Sequence, residues 1–369
     1  MPSGLFRCVL ALLALASATF MFVESRRRAL YVWASNAVFL RGERSGCLES
    51  SSSDDYYAPK LPTPPRQTPL SSLVENYSVN ITGDVQHLLD FAIIGHAKCG
   101  TTFTMNWLAK HEEIHMYQKE LHGMHTGRPA QMVEELYNLP DGIHGYKNPT
   151  DITSLKAIKL ILQYWPQTKL IVGLRHPILW FQTYYNFRVR AGTEMPPADS
   201  ELLMRNCSHR FHGVCAEESL FHQHLSSLGK TNMTKDELAL LGPFVRPRPV
   251  ERLPNKVFLY ELNQLHDYNH SRALRYRRDL SDFLGLNKTL KEIDLSNVTL
   301  SKDNVLDICL ERYKRLRSVL LKNAQSSSLW IRNYFLNHPD VFVSSPDHFQ
   351  ELLQQWMVDP CEDDQNRTA

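Results

Sequence analysis

Three short apolar runs, each with the length of a buried strand, organise the middle of the chain. They lie at 91–94, 170–174 and 257–260 and read FAII, LIVGL and VFLY. A helical pattern follows the first run over 101–110 and the second over 177–185. Strands that alternate with helices form a mostly parallel sheet with helices on both faces, so the pattern predicts an α/β fold in a single domain.

Three further segments carry weaker patterns. Residues 114–117 predict a short strand that leads into Lys119 and Glu120. Residues 152–164 and 301–356 are typical of helices, because apolar side chains recur there at helical spacing. These apolar positions are Ile152, Leu155, Ile158 and Leu162 in the first segment and Leu306, Leu310, Tyr313 and Leu320 in the second.

The first 78 residues read as a targeting segment and a linker. Residues 1–28 contain a long apolar stretch followed by three arginines, which indicates a signal anchor. A signal peptide is the alternative, because the apolar stretch is short for a membrane span and Ala16-Ser17-Ala18 offers a cleavage site. Residues 29–78 are a predicted stem, since Ser, Pro, Asp and Thr dominate there.

The remainder is a predicted folded domain over 79–361 with a short tail at 362–369. Within it, residues 191–254 interrupt the alternation of strands and helices and are rich in His, Pro and Ser. This segment reads as an insertion, which either shapes substrate entry or decorates the surface.

Net charge, cysteine content and glycosylation sequons bear on the binding partners and on the cellular compartment of the protein. A formal net charge of +2 gives no indication of nucleic-acid binding. The cysteines are too few for a disulfide scaffold, but Cys207 with Cys215 and Cys309 with Cys361 are candidate pairs, which require an oxidising compartment. Glycosylation sequons, more numerous than chance placement gives, favour a lumenal domain; they begin at Asn76, Asn80, Asn206, Asn232, Asn269, Asn287, Asn297 and Asn366.

The segment after the first apolar run has the chemistry of a phosphate-binding loop. Gly95 opens the loop, Gly100 closes it, and a helix follows, so backbone amides can approach an anion. The two glycines have the spacing of a Walker A loop. However, Lys98 precedes the second glycine and Thr101 stands where the Walker lysine would be. The loop therefore predicts a nucleotide-phosphate site that is not that of an ordinary ATPase or GTPase.

Four segments, in order, resemble the sulfotransferases that use 3′-phosphoadenosine 5′-phosphosulfate (PAPS), most closely their Golgi carbohydrate, heparan-sulfate-type branch. The resemblance spans roughly residues 85–345. A fifth segment, Tyr260-Glu261 followed by FLGL at 283–286, resembles the family more weakly. The four segments are IIGHAKCGTT at 93–102, Lys119-Glu120-Leu121-His122, Tyr146-Lys147-Asn148-Pro149, and LIVGLRHPILWFQTYYNF at 170–187.

The resemblance implies a donor site for PAPS, whose product is 3′-phosphoadenosine 5′-phosphate. Lys98 is expected beside the 5′-phosphate and the bridging oxygen, and Arg175 and Thr183 are expected on the 3′-phosphate. The family usually has serine at the position of Thr183 and an acidic residue at that of His176. The family's glycine-rich loop near the C-terminus is not found in this sequence, so the adenine contacts stay open. The remaining loop residues assigned to the donor site are Cys99, Gly100, Thr101 and Thr102. The Cys99 side chain is expected to be a free thiol that packs in the core.

The resemblance also implies the catalytic groups. Glu120 is the candidate base for an acceptor hydroxyl, although a surface glutamate paired with Lys119 is the alternative. His122 is expected to orient the acceptor or the carboxylate, or to be structural. Lys147 is expected to neutralise developing charge or bind an anionic acceptor, or else to be a plain turn lysine. This mechanism requires no metal.

Two other chemistries stay open in the sequence. His111-Glu112-Glu113-Ile114-His115 satisfies the HExxH pattern of zinc peptidases, although it lies where a helix ends and a strand starts. An ATP-dependent P-loop kinase would keep the fold and change the donor. The preferred prediction is a PAPS-dependent sulfotransferase, anchored as a single-pass type II protein in the Golgi membrane or else secreted. It acts on a carbohydrate hydroxyl, less favourably an amine, and its oligomeric state stays open.

Overall fold

The computed structural model describes residues 68–75, 80–205, 207, 213–229, 253–293 and 305–362. The predicted signal segment, most of the stem, the middle of the insertion and the tail lie outside these residues. So do the sequons at Asn76, Asn206, Asn232, Asn297 and Asn366. Within the described residues, no helix has both the length and the apolar character that crossing a bilayer requires.

Six parallel strands form one sheet in the order β2-β3-β1-β4-β5-β6. The predicted α/β fold with a parallel sheet is therefore confirmed. Strands β2 and β3 lie on one side of β1, and β4, β5 and β6 lie on the other. The carboxyl end of β1 is therefore the topological switch point, which is where ligands bind in open α/β sheets. The strands are β1 Phe91–Ile93, β2 Ile114–Glu120, β3 Ile143–Lys147, β4 Lys169–Leu174, β5 Val257–Glu261 and β6 Val341–Phe342.

Helices cover both faces of the sheet. Phe91 and Ile93 of β1 pack into one apolar cluster with α2 and α9, whereas Ala92 and Ile94 pack into the other with α4, α5, α6 and α10. This division follows from the alternation of side chains along a strand. The helices are α1 Leu70–Leu73, α2 Thr101–Leu108, α3 Gly123–Thr126, α4 Pro129–Tyr137, α5 Leu155–Tyr164, α6 Pro177–Arg190, α7 Glu201–Met204, α8 Phe221–Ser226, α9 His270–Leu284, α10 Lys314–Asn333 and α11 Pro346–Gln355.

The hydrophobic pattern misses β3, which lies inside the sheet between β2 and β1. Its sequence IHGYK contains Gly145, where an added Cβ would lie 2.2 Å from the Phe91 ring. The glycine is therefore required by the close approach of β1, and it also weakens the strand signal.

Two helix predictions need correction. The helix predicted over 152–164 begins at Leu155, because Ser154 caps it by accepting the amide of Ala157 at 3.2 Å. In the segment 301–356, Leu306 and Leu310 lie in a loop before α10, and β6 separates α10 from α11. Both leucines were placed on a helical face by spacing alone.

Both predicted disulfides are present. Cys207 is bonded to Cys215, and Cys309 is bonded to Cys361. The second bond joins the segment before α10 to the residues after α11. Packing also begins early, since Leu73, within the predicted stem, is buried in the core.

Candidate active site

The phosphate loop joins β1 to α2 and has a backbone that few sequences can adopt. Gly95 lies against β4 so closely that an added Cβ would be 2.3 Å from the amide nitrogen of Gly173. Gly100 has φ 81° and precedes α2, and Lys98 has φ 65°, a left-handed conformation that is rare for a residue with a side chain. Strained backbone of this kind marks functional loops.

Side chains from two neighbouring elements, α6 and β5, bind carbonyl groups of this loop. Trp180 donates its indole N–H to Ala97 O at 2.8 Å, and the Tyr260 hydroxyl donates to Cys99 O at 2.8 Å. Because the C=O and N–H groups of a trans peptide point in opposite directions, the amides that follow these two carbonyls face away from the donors. The amides of Lys98 and Gly100 are thus directed away from the packed side of the loop, as an anion cradle requires, whereas the Cys99 amide donates to His96 O at 3.2 Å.

Cys99 has no part in this chemistry through its side chain. It is a free cysteine and completely buried. Burial raises the pKa of its thiol far above the usual value, so the group stays protonated. This agrees with its prediction as a packing residue.

Lys98 lies in a field of positive charge. Partial burial is the main cause that lowers its pKa, and Arg190, Arg175 and Lys147 lower it further, whereas Glu120 opposes them. Its Nζ also lies 4.2 Å from the ring centroid of Phe187 on α6. Several cations around one loop make the site suitable for an anion of more than one charge.

Glu120, Lys147 and Thr102 form a connected group at the carboxyl ends of β2 and β3. Lys147 Nζ donates to Glu120 Oε1 at 2.5 Å and to Thr102 Oγ1 at 2.8 Å. The Lys147 side chain is 4% exposed and that of Glu120 is 41% exposed, so the lysine is buried and the carboxylate can be reached. Glu120 therefore pairs with Lys147 in this structure, and Lys147 ends a central strand rather than lying in a turn.

His122 lies at the rim of this group. Its Nε2 is 3.9 Å from Glu120 Oε2, and its side chain is 55% exposed. The imidazole is therefore placed to contact both the carboxylate and a bound molecule.

A buried carboxyl group, not predicted from the sequence, holds the strand end that carries Lys147. Asp151 is fully buried and accepts hydrogen bonds from Tyr146 Oη at 2.9 Å and Asn148 Nδ2 at 2.7 Å. Burial raises its pKa to about 8, against the effect of both hydrogen bonds. Tyr146 and Asn148 flank Lys147 in sequence, so these two hydrogen bonds fix its backbone on both sides.

Arg175 follows β4 and reaches the other side of the loop. Its Nη1 donates to Lys98 O at 3.5 Å, and the buried Glu261 lies nearby as a counter-charge. Burial raises the pKa of Glu261 to about 7, opposed by the Asn263 amide and by Arg175. Thr183 lies two turns into α6, where its hydroxyl donates to Leu179 O at 2.9 Å.

His176 shows what replaces the expected acid beside Arg175. Its Nδ1 accepts the amide of Ile178 at 3.2 Å, and its Nε2 donates to Val358 O at 3.3 Å. Burial lowers its pKa to about 4, so the ring is neutral at physiological pH. The histidine thus caps the N-terminus of α6, a role that an acidic side chain also fills.

The HExxH segment does not form a zinc site in this fold. The helix α2 ends at Leu108, His111 lies in the turn that follows, and His115 belongs to β2. His111 Nε2 donates to Lys288 O at 3.1 Å, and Glu113 accepts the amide of Asn287 at 3.1 Å. In the part of the chain that the structure describes, the one cluster with metal-ligand spacing is Cys207, Cys215 and Glu217, whose cysteines form a disulfide.

No protein-family model and no curated protein matches the sequence. Among solved structures, the chain is similar to a sulfotransferase from Alicyclobacillus acidocaldarius, with a TM-score of 0.45 and 14% sequence identity. The match covers 66% of this chain and 96% of that chain. A likeness this distant carries no argument about function, which depends on the side chains of this chain.

Proposed function

We propose that this protein is a sulfotransferase that moves the sulfuryl group of PAPS to a hydroxyl, less favourably an amine, of a carbohydrate. One observation carries the proposal. The phosphate loop with Lys98, the Glu120–Lys147 pair and Arg175 all lie at the carboxyl ends of β1 to β4. An anion cradle, an accessible base and a second phosphate clamp are the parts that this transfer needs.

PAPS supplies a sulfuryl group attached to a phosphate leaving group. Glu120 takes the proton of the acceptor hydroxyl as the acceptor oxygen bonds to sulfur and the sulfur–phosphate-oxygen bond breaks. Lys98 and Lys147 face the phosphate oxygens on which negative charge grows, and the loop amides add fixed dipoles. Thr102 links the loop to Lys147, so the leaving group and the base are held in one frame.

The second phosphate distinguishes this donor from ATP. Arg175 has the fork geometry that matches phosphate oxygens, and Thr183 adds a hydroxyl on the first turns of α6. Gly100 and Thr101 contribute backbone amides to the 5′ end, whereas the Cys99 amide donates to His96 O within the loop. The lysine that a P-loop kinase places directly after the second glycine is Thr101 here.

Two features support a lumenal protein, as a Golgi type II membrane protein or a secreted one. The two disulfides need an oxidising compartment. The sequon residues Asn80, Asn269 and Asn287, which lie within the described residues, are all exposed and so accessible for glycan attachment.

The test is transfer from labelled PAPS to a panel of desulfated glycans by the purified protein, with ATP as the alternative donor. We expect a sulfated glycan with PAPS and no labelled product with ATP. Thermal shift with the bisphosphate product is the matched binding assay, because a ligand that binds the folded state raises the midpoint. Phosphate transfer from ATP, or neither transfer nor stabilisation with the PAPS pair, contradicts the proposal.

A further inference from the structure

A chain of side-chain contacts leads from the phosphate loop into the inserted segment. His96 Nδ1 lies 3.3 Å from Gly173 O, and its Nε2 lies 3.1 Å from Nδ1 of His224. The other ring nitrogen of His224 lies 3.5 Å from a carboxylate oxygen of Glu218. His96 belongs to the loop, whereas His224 lies in α8 and Glu218 in a short 3-10 helix, both within 191–254.

These contacts are part of a packed joint between the insertion and the loop. His96 is 2% exposed, and its ring centroid lies 4.1 Å from that of Phe221, the first residue of α8. Phe221 in turn packs edge-on against Trp180, the side chain that binds Ala97 O. Displacement of α8 would therefore move groups that hold the loop.

The two hydrogen bonds and the ion pair of this chain together require one proton more than two neutral histidines carry. A carbonyl oxygen stands at one end and a carboxylate at the other, and neither donates. Three contacts therefore need three N–H groups, whereas two neutral imidazoles have two. All three contacts form together only when the pair of rings is protonated once more.

The positions of the two rings assign this extra proton to His224. Burial lowers the pKa of His96 well below its usual value, and the neighbouring His224 lowers it further, so His96 is the neutral ring. His224 faces the carboxylate of Glu218. On the α6 side, Tyr184 lies near Glu218 and accepts a hydrogen bond from Arg188.

We propose that His224 and Glu218 position the phosphate loop for its donor through a singly protonated histidine pair, so that the insertion is a working part of the donor site. This rests on the proposed function, in which the loop grips the phosphates of PAPS. Both are positioning residues, since they act on the loop through His96 and do not reach the donor.

The variant E218Q separates this role from simple packing. A glutamine amide donates to His224, so all three contacts then form with two neutral rings. We expect the affinity of the wild-type protein for 3′-phosphoadenosine 5′-phosphate to fall relative to that of E218Q as the pH rises through about 6.5, where histidine titrates. The expected change is about fivefold, which corresponds to about 1 kcal/mol.

Calorimetry of both proteins at about pH 5.5 and about pH 8.5 measures this ratio, on either side of the histidine range. Titration of the ligand and of Glu261 affects both proteins alike and cancels in the ratio. A ratio of dissociation constants that is the same at both pH values overturns the proposal.

A second pair of variants tests the loop contact itself. H224A removes the donor to His96 and is expected to raise the KM for PAPS about tenfold with little change in kcat. H224N restores an N–H at the position of Nδ1 and is expected to recover most of the affinity. H270A, a substitution of an exposed histidine at the start of α9, is the control.

The outcomes separate a failure of the proposed function from a failure of the positioning role alone. If the wild-type protein does not bind the bisphosphate, the proposed function fails. If it binds and H224A behaves like H270A, only the positioning role fails. Should H224A not fold, H224N and E218Q still decide the question, since both keep the hydrogen bond to His96.

Discussion

Lys98 combines an unusual backbone with an unusual charge environment. A left-handed conformation costs a residue with a side chain about 1–2 kcal/mol, and here the surrounding hydrogen bonds to the loop keep it in place. Its ammonium group shares the site with Arg175, Arg190 and Lys147, which lower its pKa. A bound anion would relieve this repulsion, so the cluster favours anion binding.

Replacement of Lys98 by alanine is expected to lower kcat about a hundredfold or more, because the leaving phosphate loses a cation in the transition state. Initial rates with saturating PAPS measure the effect. K110A removes an exposed lysine just after α2 and is expected to leave the rate unchanged. Equal rates for K98A and K110A would show that Lys98 takes no part in the reaction.

Glu120 is the accessible member of its ion pair, which suits a base. E120Q keeps an oxygen for Lys147 but cannot take a proton, so we expect kcat to fall about a hundredfold or more while bisphosphate affinity is retained. E112Q is the matched control, because Glu112 is exposed and pairs with Lys288. Equal transfer rates for E120Q and the wild type would show that Glu120 is not the base.

Asp151 makes stability depend on pH. Its pKa is raised from 3.8 to about 8 by burial, so between these values the folded protein holds a proton that the unfolded chain has released. The free energy of unfolding therefore falls as the pH rises through this range and is lowest above it.

The variant D151N removes this titration and is expected to gain stability relative to the wild-type protein as the pH rises from about 4 to above about 8. Urea unfolding across that range measures the difference. D282N changes an exposed aspartate of α9 and is expected to follow the wild-type curve. A constant difference between D151N and the wild type would show that Asp151 does not titrate over this range.

At the scale of elements, glycines decide how closely the loop approaches the sheet. Gly95 brings β1 against β4, and Gly173 lies under the loop, where an added Cβ would be 2.6 Å from Cys99 O. The contacts at Gly95 are to the backbone of β4, where no rotamer change can make room, and Gly173 also faces the Tyr260 hydroxyl, where an added Cβ would be 2.5 Å away. The loop, α2 and the strand ends are thus one packed unit.

G95A is expected to lower the free energy of unfolding by about 3 kcal/mol, because overpacking against backbone forces the strands apart. It is also expected to weaken bisphosphate binding. Chemical denaturation and calorimetry measure the two effects. G229A is the control, since an added Cβ there meets nothing closer than 3.4 Å; equal stabilities for the two variants would contradict the close approach.

At the scale of the whole molecule, the strand order brings the site together. β2, β3, β1 and β4 are neighbours and parallel, so their carboxyl ends meet along one edge. The Cys309–Cys361 disulfide joins residues on either side of α10, β6 and α11, which pack on the far part of the sheet from β2. It therefore constrains a large part of the unfolded chain.

Removal of the Cys309–Cys361 disulfide by paired serine substitutions is expected to cost about 4 kcal/mol, from the loop closure that the bond provides over a sequence separation of 52. The Cys207–Cys215 bond spans 8 residues, and its removal is expected to cost about 2.5 kcal/mol. Thermal and urea unfolding of the two double variants give the order. A larger loss of unfolding free energy on removal of the Cys207–Cys215 bond would contradict the loop-closure explanation.

The sequence by itself determined the local features. Apolar runs with strand length, the weaker pattern at 114–117, the glycine spacing of the loop and the cysteine positions were enough to predict four strands, the phosphate loop and both disulfides. These depend on side-chain period and turn chemistry, which act over a few residues.

Only the tertiary structure decided how these pieces meet. The pairs Lys147–Glu120, Arg175–Lys98 and His96–His224 join residues 27, 77 and 128 positions apart. Their contact depends on strand order and register, and on a central strand, β3, whose glycine hides it from the hydrophobic pattern. Likewise, the burial that raises the pKa of Asp151 exists only once the helices cover the sheet.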